Sequence, residues 1–466
     1  MTGRTAGAVD EQVIDRLRDA VGARWVRTDA ATRRAYARDA TPLFDAEPDV
    51  VVQPGTTAEV AAVVRIAAAH GVPVVARGAG TNLCAATVAT HGGIVLSATR
   101  MDRLLEVSEA EQLAVVQPGV TTTALATAAA AAGLLYPPDP GSRAVSTIGG
   151  NVATCAGGLR GLKYGVTRNY VLGTEAVLGT GEIIRTGGRL VKDVAGYDLT
   201  RLLVGSEGTL AVLTEITVAL VPAPPTAGYG VAYFDSLADA GRAVAAVVGA
   251  GLVPATLEFL DATCIEAVES HAGLGLDRGA GALLLFGDDG APAQVDAALA
   301  TMVTACRDAG ARAVTTAPDV ATAEDLLAAR RCTLPALSRL GSLTVLEDVS
   351  VPRPRLAEAV ARIGDIARGT GVRVGVFGHA GDGNLHPTAV ADGQDPAQVA
   401  AVHRTFEQIF QLALDLGGTI TGEHGVGAAK LAWLPRRLDP AQLALMRRLK
   451  AAFDPAGILN PGKLGS

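Results

Sequence analysis

The apolar, strand-like run Val72-Pro73-Val74-Val75-Ala76 passes directly into Arg77-Gly78-Ala79-Gly80-Thr81-Asn82, a strand that ends in a glycine-bearing loop. Glycines at 78 and 80 let backbone N–H groups converge on an anion with no Cβ in the way, so the segment can cradle a pyrophosphate. It is not the nicotinamide-dinucleotide fingerprint. That motif needs a third glycine where this chain carries Leu83, and a strand-loop-helix unit that the sequence does not supply.

The loop has company. Pro137-Pro138-Asp139-Pro140-Gly141-Ser142, Ser146-Thr147-Ile148-Gly149-Gly150-Asn151, Ala156-Gly157-Gly158 and Gly205-Ser206-Glu207-Gly208-Thr209-Leu210 are further polar, glycine-bearing blocks in the same half of the chain. Between them VVQPGTT (Val51–Thr57) recurs as VVQPGVTT (Val115–Thr122), each followed by an Ala-rich stretch. A strand, a Pro-Gly turn and a helix are thus used twice, too few times for a solenoid.

In their order these blocks resemble the FAD-binding domain of the vanillyl-alcohol oxidase and p-cresol methylhydroxylase superfamily. The resemblance implies that the first loop wraps the FAD pyrophosphate and that the later blocks line the adenosine and flavin. Residue by residue, it implies FAD contacts from Arg77, Gly78, Ala79, Gly80, Thr81, Asn82, Pro138, Asp139, Gly141, Ser142, Thr147, Gly149, Gly150, Asn151, Gly157, Glu207 and Val212. Some relatives attach the flavin through a histidine near the first loop. His70 and His91 both fall outside Arg77–Asn82, so FAD is expected to be noncovalent.

Composition narrows the function classes. Of 466 residues, 49% are hydrophobic and 19% charged, a globular balance with length for two or three domains. A net charge of -7 without a long basic run disfavours nucleic acid and anionic membrane. Cys84, Cys155, Cys264, Cys306 and Cys332 are odd in number and contain no C-x-x-C pair, so the chain holds no conventional iron–sulfur cluster of its own. No stretch reads as a signal peptide or a spanning helix, and the expectation is a soluble, cytoplasmic protein, peripheral to a membrane only through a partner.

The expected fold class is α+β. An N-terminal helical segment occupies 1–45, with a helix from Asp10 to about Val21, and a two-part FAD-binding domain occupies 46–225. The stiff Pro222-Ala223-Pro224-Pro225 closes the latter. From 226 to 466, strands TLEFL, GALLLFG, SLTVLEDVSV and RVGVFGH alternate with Ala-rich helices in an α/β substrate domain with C-terminal helices. Asp439-Pro440 suits the start of the last helix, and FDPAGILNPGK beyond it is too rich in Pro and Gly to be helical.

The sharpest chemistry lies in that second half. His379-Ala380-Gly381-Asp382-Gly383-Asn384-Leu385-His386 is joined later by Gly422-Glu423-His424-Gly425-Val426-Gly427, so three of seven histidines fall in two glycine-bracketed motifs. His379 ends an apolar strand, and a turn through Gly381-Asp382-Gly383 can return His386 beside it. Two imidazoles and the Glu423 carboxylate make a three-ligand site with an open position, suited to a catalytic divalent metal such as Zn, Mn or Fe. Asp382 is expected to shape the turn. His424, next to Glu423, is the candidate general base.

Both motifs, with FDPAGILNPGK, resemble the C-terminal domain of FAD-linked oxidases, a family that includes flavoprotein subunits of glycolate oxidase, D-lactate dehydrogenases and D-2-hydroxyglutarate dehydrogenase. The likeness runs from about residue 15 to Lys463. It implies metal ligation by His379, His386 and Glu423, a base at His424, Asn460 near the flavin, a substrate-carboxylate arginine at Arg330 or its neighbour Arg331, and a pocket position at Thr388. The implied reaction is oxidation of a small D-2-hydroxy acid, with hydride passing to flavin and then to an external acceptor: a quinone, an iron–sulfur subunit, an electron-transfer flavoprotein or oxygen. A homo-oligomer is compatible with this reading. Two rivals stand beside it: a non-haem iron oxygenase built on the same two-histidine, one-carboxylate set, and a noncatalytic flavin-binding subunit.

Overall fold

The computed structural model describes residues 9–317 and 320–465; the first eight residues of the N-terminal segment lie outside it. The chain forms two compact units. The first contains Met1–Ala156, Val166–Ala223 and Glu423–Ser466, and the second contains Gly157–Gly165 and Pro224–Gly422.

Local chemistry starts the helices of the first unit. The Asp10 side chain accepts from the Val13 amide to begin Glu11–Val21. The repeated Pro-Gly turns lead into Thr56, directly after Gly55, and Thr121, two residues after Gly119, whose hydroxyls accept from the amides of Glu59 and Ala124 and cap Thr57–His70 and Thr122–Ala131. The recurrence in the sequence is therefore a recurrence of N-caps. In one sheet, the strand Ile94–Ser97 lies parallel to Val50–Val52 and to Val74–Arg77, and Val26–Arg27 is antiparallel at the edge. In a second, Leu104–Ser108, Leu113–Val116, Ala211–Ala219, Val171–Leu178 and Ile183–Gly187 follow one another antiparallel. Val60, Val63, Val64 and Ala67 of the first capped helix pack on Val50, Val52, Val74, Ile94 and Leu96, with Val13 and Leu17 in the same core.

The C-terminal tail completes that core. After the helix Pro440–Phe453, capped by Asp439 with Pro440 in its first turn, Ile458 and Leu459 enter the packing. The Val74 amide donates to the Ile458 carbonyl and the Asn460 amide to the Val74 carbonyl, 2.8 Å each. Asn460 is thereby fixed beside Val74, the first residue of the strand that leads into the first glycine loop.

The second unit is built on one antiparallel sheet. Thr226–Phe234 and Thr256–Asp261 are joined by the helix Leu237–Gly249, yet Ala282–Gly290 lies between them, antiparallel to both. A strand-helix-strand connection that skips one position explains how alternating strands and helices in the sequence give antiparallel neighbours. On its other side Thr256–Asp261 pairs with Arg373–His379, which turns back into Asn384–Ala391. Among the described residues no helix is long and apolar enough to cross a membrane.

Candidate active site

In the first unit the glycine loop is held by side chains on its flanks. Arg77 donates from Nη2 to the Arg38 carbonyl at 2.7 Å and lies 5.3 Å from the Tyr36 ring centre. A Cβ at Gly78 would overlap the Thr147 hydroxyl, and that hydroxyl caps the helix Ile148–Thr154 by accepting from the Gly150 amide. Gly149 donates to the Pro118 carbonyl, and Asn151 Nδ2 donates to Thr122 Oγ1 at 2.7 Å. The second Pro-Gly turn thus braces the Thr147–Asn151 block. Asp139 is buried and pairs with Arg143 at 2.9 Å, Pro138 is buried too, and Gly141 faces open space. Val212 sits in the packed core, and Gly157 begins the short segment assigned to the second unit.

Two side chains tie the segment after Glu423 to this loop. Asn82 Oδ1 accepts from the amides of Cys84 and Ala86, while its Nδ2 donates to the His424 carbonyl at 3.2 Å. The Glu207 carboxylate accepts from the Val426 amide at 2.7 Å and the Gly427 amide at 2.8 Å. Gly427 has φ +50, and a Cβ there would overlap the Cys84 carbonyl, so the approach requires glycine. Burial pushes the Glu207 carboxyl above its ordinary value, opposed by the two amides and by Lys430 and Lys463. His424 and Glu423 lie side by side, Nε2 to Oε1 3.8 Å.

Asn460 tests whether a flavin suits this unit. Its Nδ2 donates to the carbonyls of Ala86 and Glu207 at 2.9 and 2.7 Å, which fixes the amide orientation. Its Oδ1 is buried with no hydrogen-bond partner among the described residues. A buried acceptor so placed calls for a donor from outside the chain. Asn460 and Glu207 both hold φ near +50 (44° and 54°), backbone strain of the kind that collects at ligand sites.

In the second unit the histidines stand on adjacent strands. His379 is opposite Asn384, and Phe377 opposite His386, in the hairpin register; across the other edge of the same strand His379 faces Glu258. Directly opposed residues share a sheet face, so Glu258, Phe377, His379 and His386 all project to one side. The two imidazoles meet edge to face with ring centres 5.1 Å apart. The turn between them is tied by the Gly383 amide to the His379 carbonyl at 3.1 Å, and Asp382 Oδ1 accepts from the Asn384 amide at 3.1 Å. Thr388 is buried on the same strand, its hydroxyl donating to the His386 carbonyl at 3.3 Å.

Asp348 Oδ2 holds the Thr421 hydroxyl at 2.7 Å and the Gly422 amide at 2.8 Å. A Cβ on Gly422 would fall 2.8 Å from the Asn384 side chain, and Asn384 is the register partner of His379. Glu423 is the next residue. Among the described residues, His379, His386 and Glu423 each offer a ligand atom within 4.8 Å of the others. Two imidazoles and one carboxylate are a donor set that suits a divalent cation with a position left open.

Arg330 is buried at the end of the helix Val320–Arg331. Its Nε donates to Glu258 Oε2 at 2.7 Å, and its guanidinium carbon lies 4.7 Å from the Phe377 ring centre. That bond uses Nε and leaves the two terminal nitrogens outside it. Sequence reading missed Glu258, Asp348 and the fully buried Lys430 and Lys463. Glu258 carried one signal, a charge inside the apolar run Leu257-Glu258-Phe259, since a glutamate buried in a strand needs a partner.

Comparison with known proteins identifies the family and the fold. Residues 223–464 match the model of the FAD linked oxidases, C-terminal domain, and residues 48–187 that of an FAD binding domain. The chain is 48% identical over 434 residues to the glycolate oxidase subunit GlcD of Bacillus subtilis, covering 93% of this chain and 92% of that protein. It is 39% identical over 440 residues to a D-lactate dehydrogenase of Archaeoglobus fulgidus, covering 92% and 95%. A solved structure of p-cresol methylhydroxylase with substrate bound has the same fold, with a TM-score of 0.82 at 16% identity, covering 97% of this chain and 96% of that one.

Proposed function

The chain belongs to the FAD-linked oxidases, and from that premise we propose that it oxidises a small D-2-hydroxy acid, such as glycolate, D-lactate or D-2-hydroxyglutarate, to the 2-oxo acid. The observation that carries this reading is the convergence of His379, His386 and Glu423 in a chain that has an FAD-binding domain. The family's relatives named for glycolate and D-lactate support the substrate class.

Noncovalent FAD would be held by the loop Arg77–Asn82, by the Thr147–Asn151 block and by Asn460, and a Zn, Mn or Fe ion by His379, His386 and Glu423. Bound there, FAD supplies a hydride acceptor at N5 and the cation supplies a Lewis acid for the substrate's hydroxyl and carboxylate oxygens. The remaining work belongs to side chains. His424, held by its carbonyl to Asn82, takes the hydroxyl proton, a task suited to an imidazole near neutral pH. The terminal nitrogens of Arg330 grip the substrate carboxylate, while Nε stays on Glu258. Electrons then leave to an external acceptor.

Anaerobic bleaching of the bound flavin by a panel of D- and L-2-hydroxy acids tests this directly. At least one D-acid is expected to bleach the wild type, a chelator to suppress it, and His424→Ala to retain FAD without bleaching. Failure of every 2-hydroxy acid would overturn the reaction, and full bleaching by His424→Ala would overturn the base.

A further inference from the structure

We propose that Glu258 is a positioning residue that fixes the tautomer of His379, keeping the proton on Nδ1 and presenting Nε2 to the metal. The proposal rests on the metal reading above and goes beyond it, because it concerns a residue that touches neither substrate nor cation.

The ladder dictates the encounter. Glu258 and His379 are directly opposed on neighbouring antiparallel strands, and Glu258 Oε1 lies 2.6 Å from His379 Nδ1. Glu258 is 0% exposed, and its second oxygen accepts from Arg330 Nε at 2.7 Å. Arginine keeps its charge in proteins and can only donate, and an ionised carboxylate can only accept. With Arg330 on one oxygen, the other must receive a proton from its neighbour, so the hydrogen at Nδ1 is His379's. A neutral imidazole carries one N–H, and the lone pair is then on Nε2. Phe377 beneath the guanidinium confines Arg330, and His386 meets the His379 ring edge to face. A metal-ligating histidine oriented by a buried carboxylate binds its ion more tightly, and loss of such a partner typically weakens binding about 10–100-fold.

Glu258→Gln makes the mechanism visible. An amide offers one acceptor and one donor where the carboxylate offered two acceptors. Arg330 claims the oxygen, the amide nitrogen then faces Nδ1, and His379 is driven to carry its proton on Nε2, the atom the metal needs. Adding Arg330→Met frees the amide oxygen to turn toward His379 and removes the buried cation left without a counter-charge.

FAD-loaded protein, stripped of metal, would be titrated with Zn²⁺ against a chromogenic chelator. We expect Glu258→Gln to bind Zn²⁺ about 10–100-fold more weakly than wild type with FAD content unchanged, and the double variant to recover most of that loss. Wild type binding no better than His379→Ala would refute the metal reading itself. Tight wild-type binding with Glu258→Gln within about twofold of it, on the scale of that range, would leave the metal reading standing and overturn this inference. A double variant as weak as the single one would overturn tautomer control. Nitrogen NMR of histidine-labelled, metal-free wild type gives a check that needs no folded Gln variant: the signal lost in His379→Ala should report Nδ1–H, and Nε2–H would overturn the proposal.

Discussion

The two units hold their functional groups by opposite means. In the first, irregular loops are locked by a few side chains: Glu207 grips the amides of Val426 and Gly427, Asn82 the His424 carbonyl, and Asn460 the carbonyls of Ala86 and Glu207. In the second, His379 and His386 stand on a sheet whose backbone ladder would persist whatever side chains they carried. The difference separates stability from chemistry. A lock residue in the first unit holds its loop in place, whereas a proposed ligand on the sheet can be changed with modest harm to the fold.

The largest effect should therefore come from a lock. Glu207→Leu leaves two buried amides without acceptors, and each costs roughly 1–3 kcal/mol. Part of that loss is offset, because burial already opposes the Glu207 charge. We expect a destabilisation of about 2–5 kcal/mol in denaturant unfolding, together with loss of bound FAD. A variant that melts like wild type and stays yellow would show that the loop is fixed by something other than Glu207.

The sheet side should respond more mildly. His386→Asn removes an imidazole from a buried face but leaves every ladder hydrogen bond of Asn384–Ala391 in place. It should cost about 1–2 kcal/mol, an ordinary value for a buried substitution, keep its FAD and lose flavin bleaching. If it instead unfolds or sheds flavin, the contrast between the two units collapses.

The same contrast explains what the sequence could disclose. Features set by near neighbours were legible: the helix from about Asp10 and the cap at Asp439, the twin Pro-Gly turns, and a hairpin that brings together two histidines only seven positions apart. Failure of the dinucleotide fingerprint was legible as well, because no helix follows Arg77 before the strand Ile94–Ser97. Partners set by strand order were not. Glu258 meets His379 from 121 positions away, and Glu207 meets Gly427 from 220. The first pairing depends on a crossover that skips a strand, and the second on the chain leaving the first unit at Pro224 and returning at Glu423. No periodicity encodes either event. Residues 226–466, continuous in sequence and matched almost throughout by one family model, therefore contribute to both compact units.

A pH-dependent effect, absent at pH 7, concerns the charges that the locked loops bury. Lys463, fully buried near the tail, donates to the Val88 carbonyl at 3.0 Å and to Thr90 Oγ1 at 3.1 Å. Burial pushes its ammonium down to about 8, although Asp39, Glu207 and Cys84 each pull it back up. In the unfolded chain a lysine titrates near 10.4. Between those two values the unfolded state binds more protons, so this group makes stability rise as pH rises from about 8 toward 10. Below that window both states are protonated and the burial penalty is constant. Lys463→Met removes the titration while keeping an unbranched chain of similar reach. The unfolding free energy of wild type relative to Lys463→Met should therefore improve by roughly 1–3 kcal/mol from pH 7 to pH 10, measured by denaturant titration at fixed salt. A pH-independent gap would mean that Lys463 titrates as an ordinary lysine, its charge fully compensated by Glu207 and Asp39.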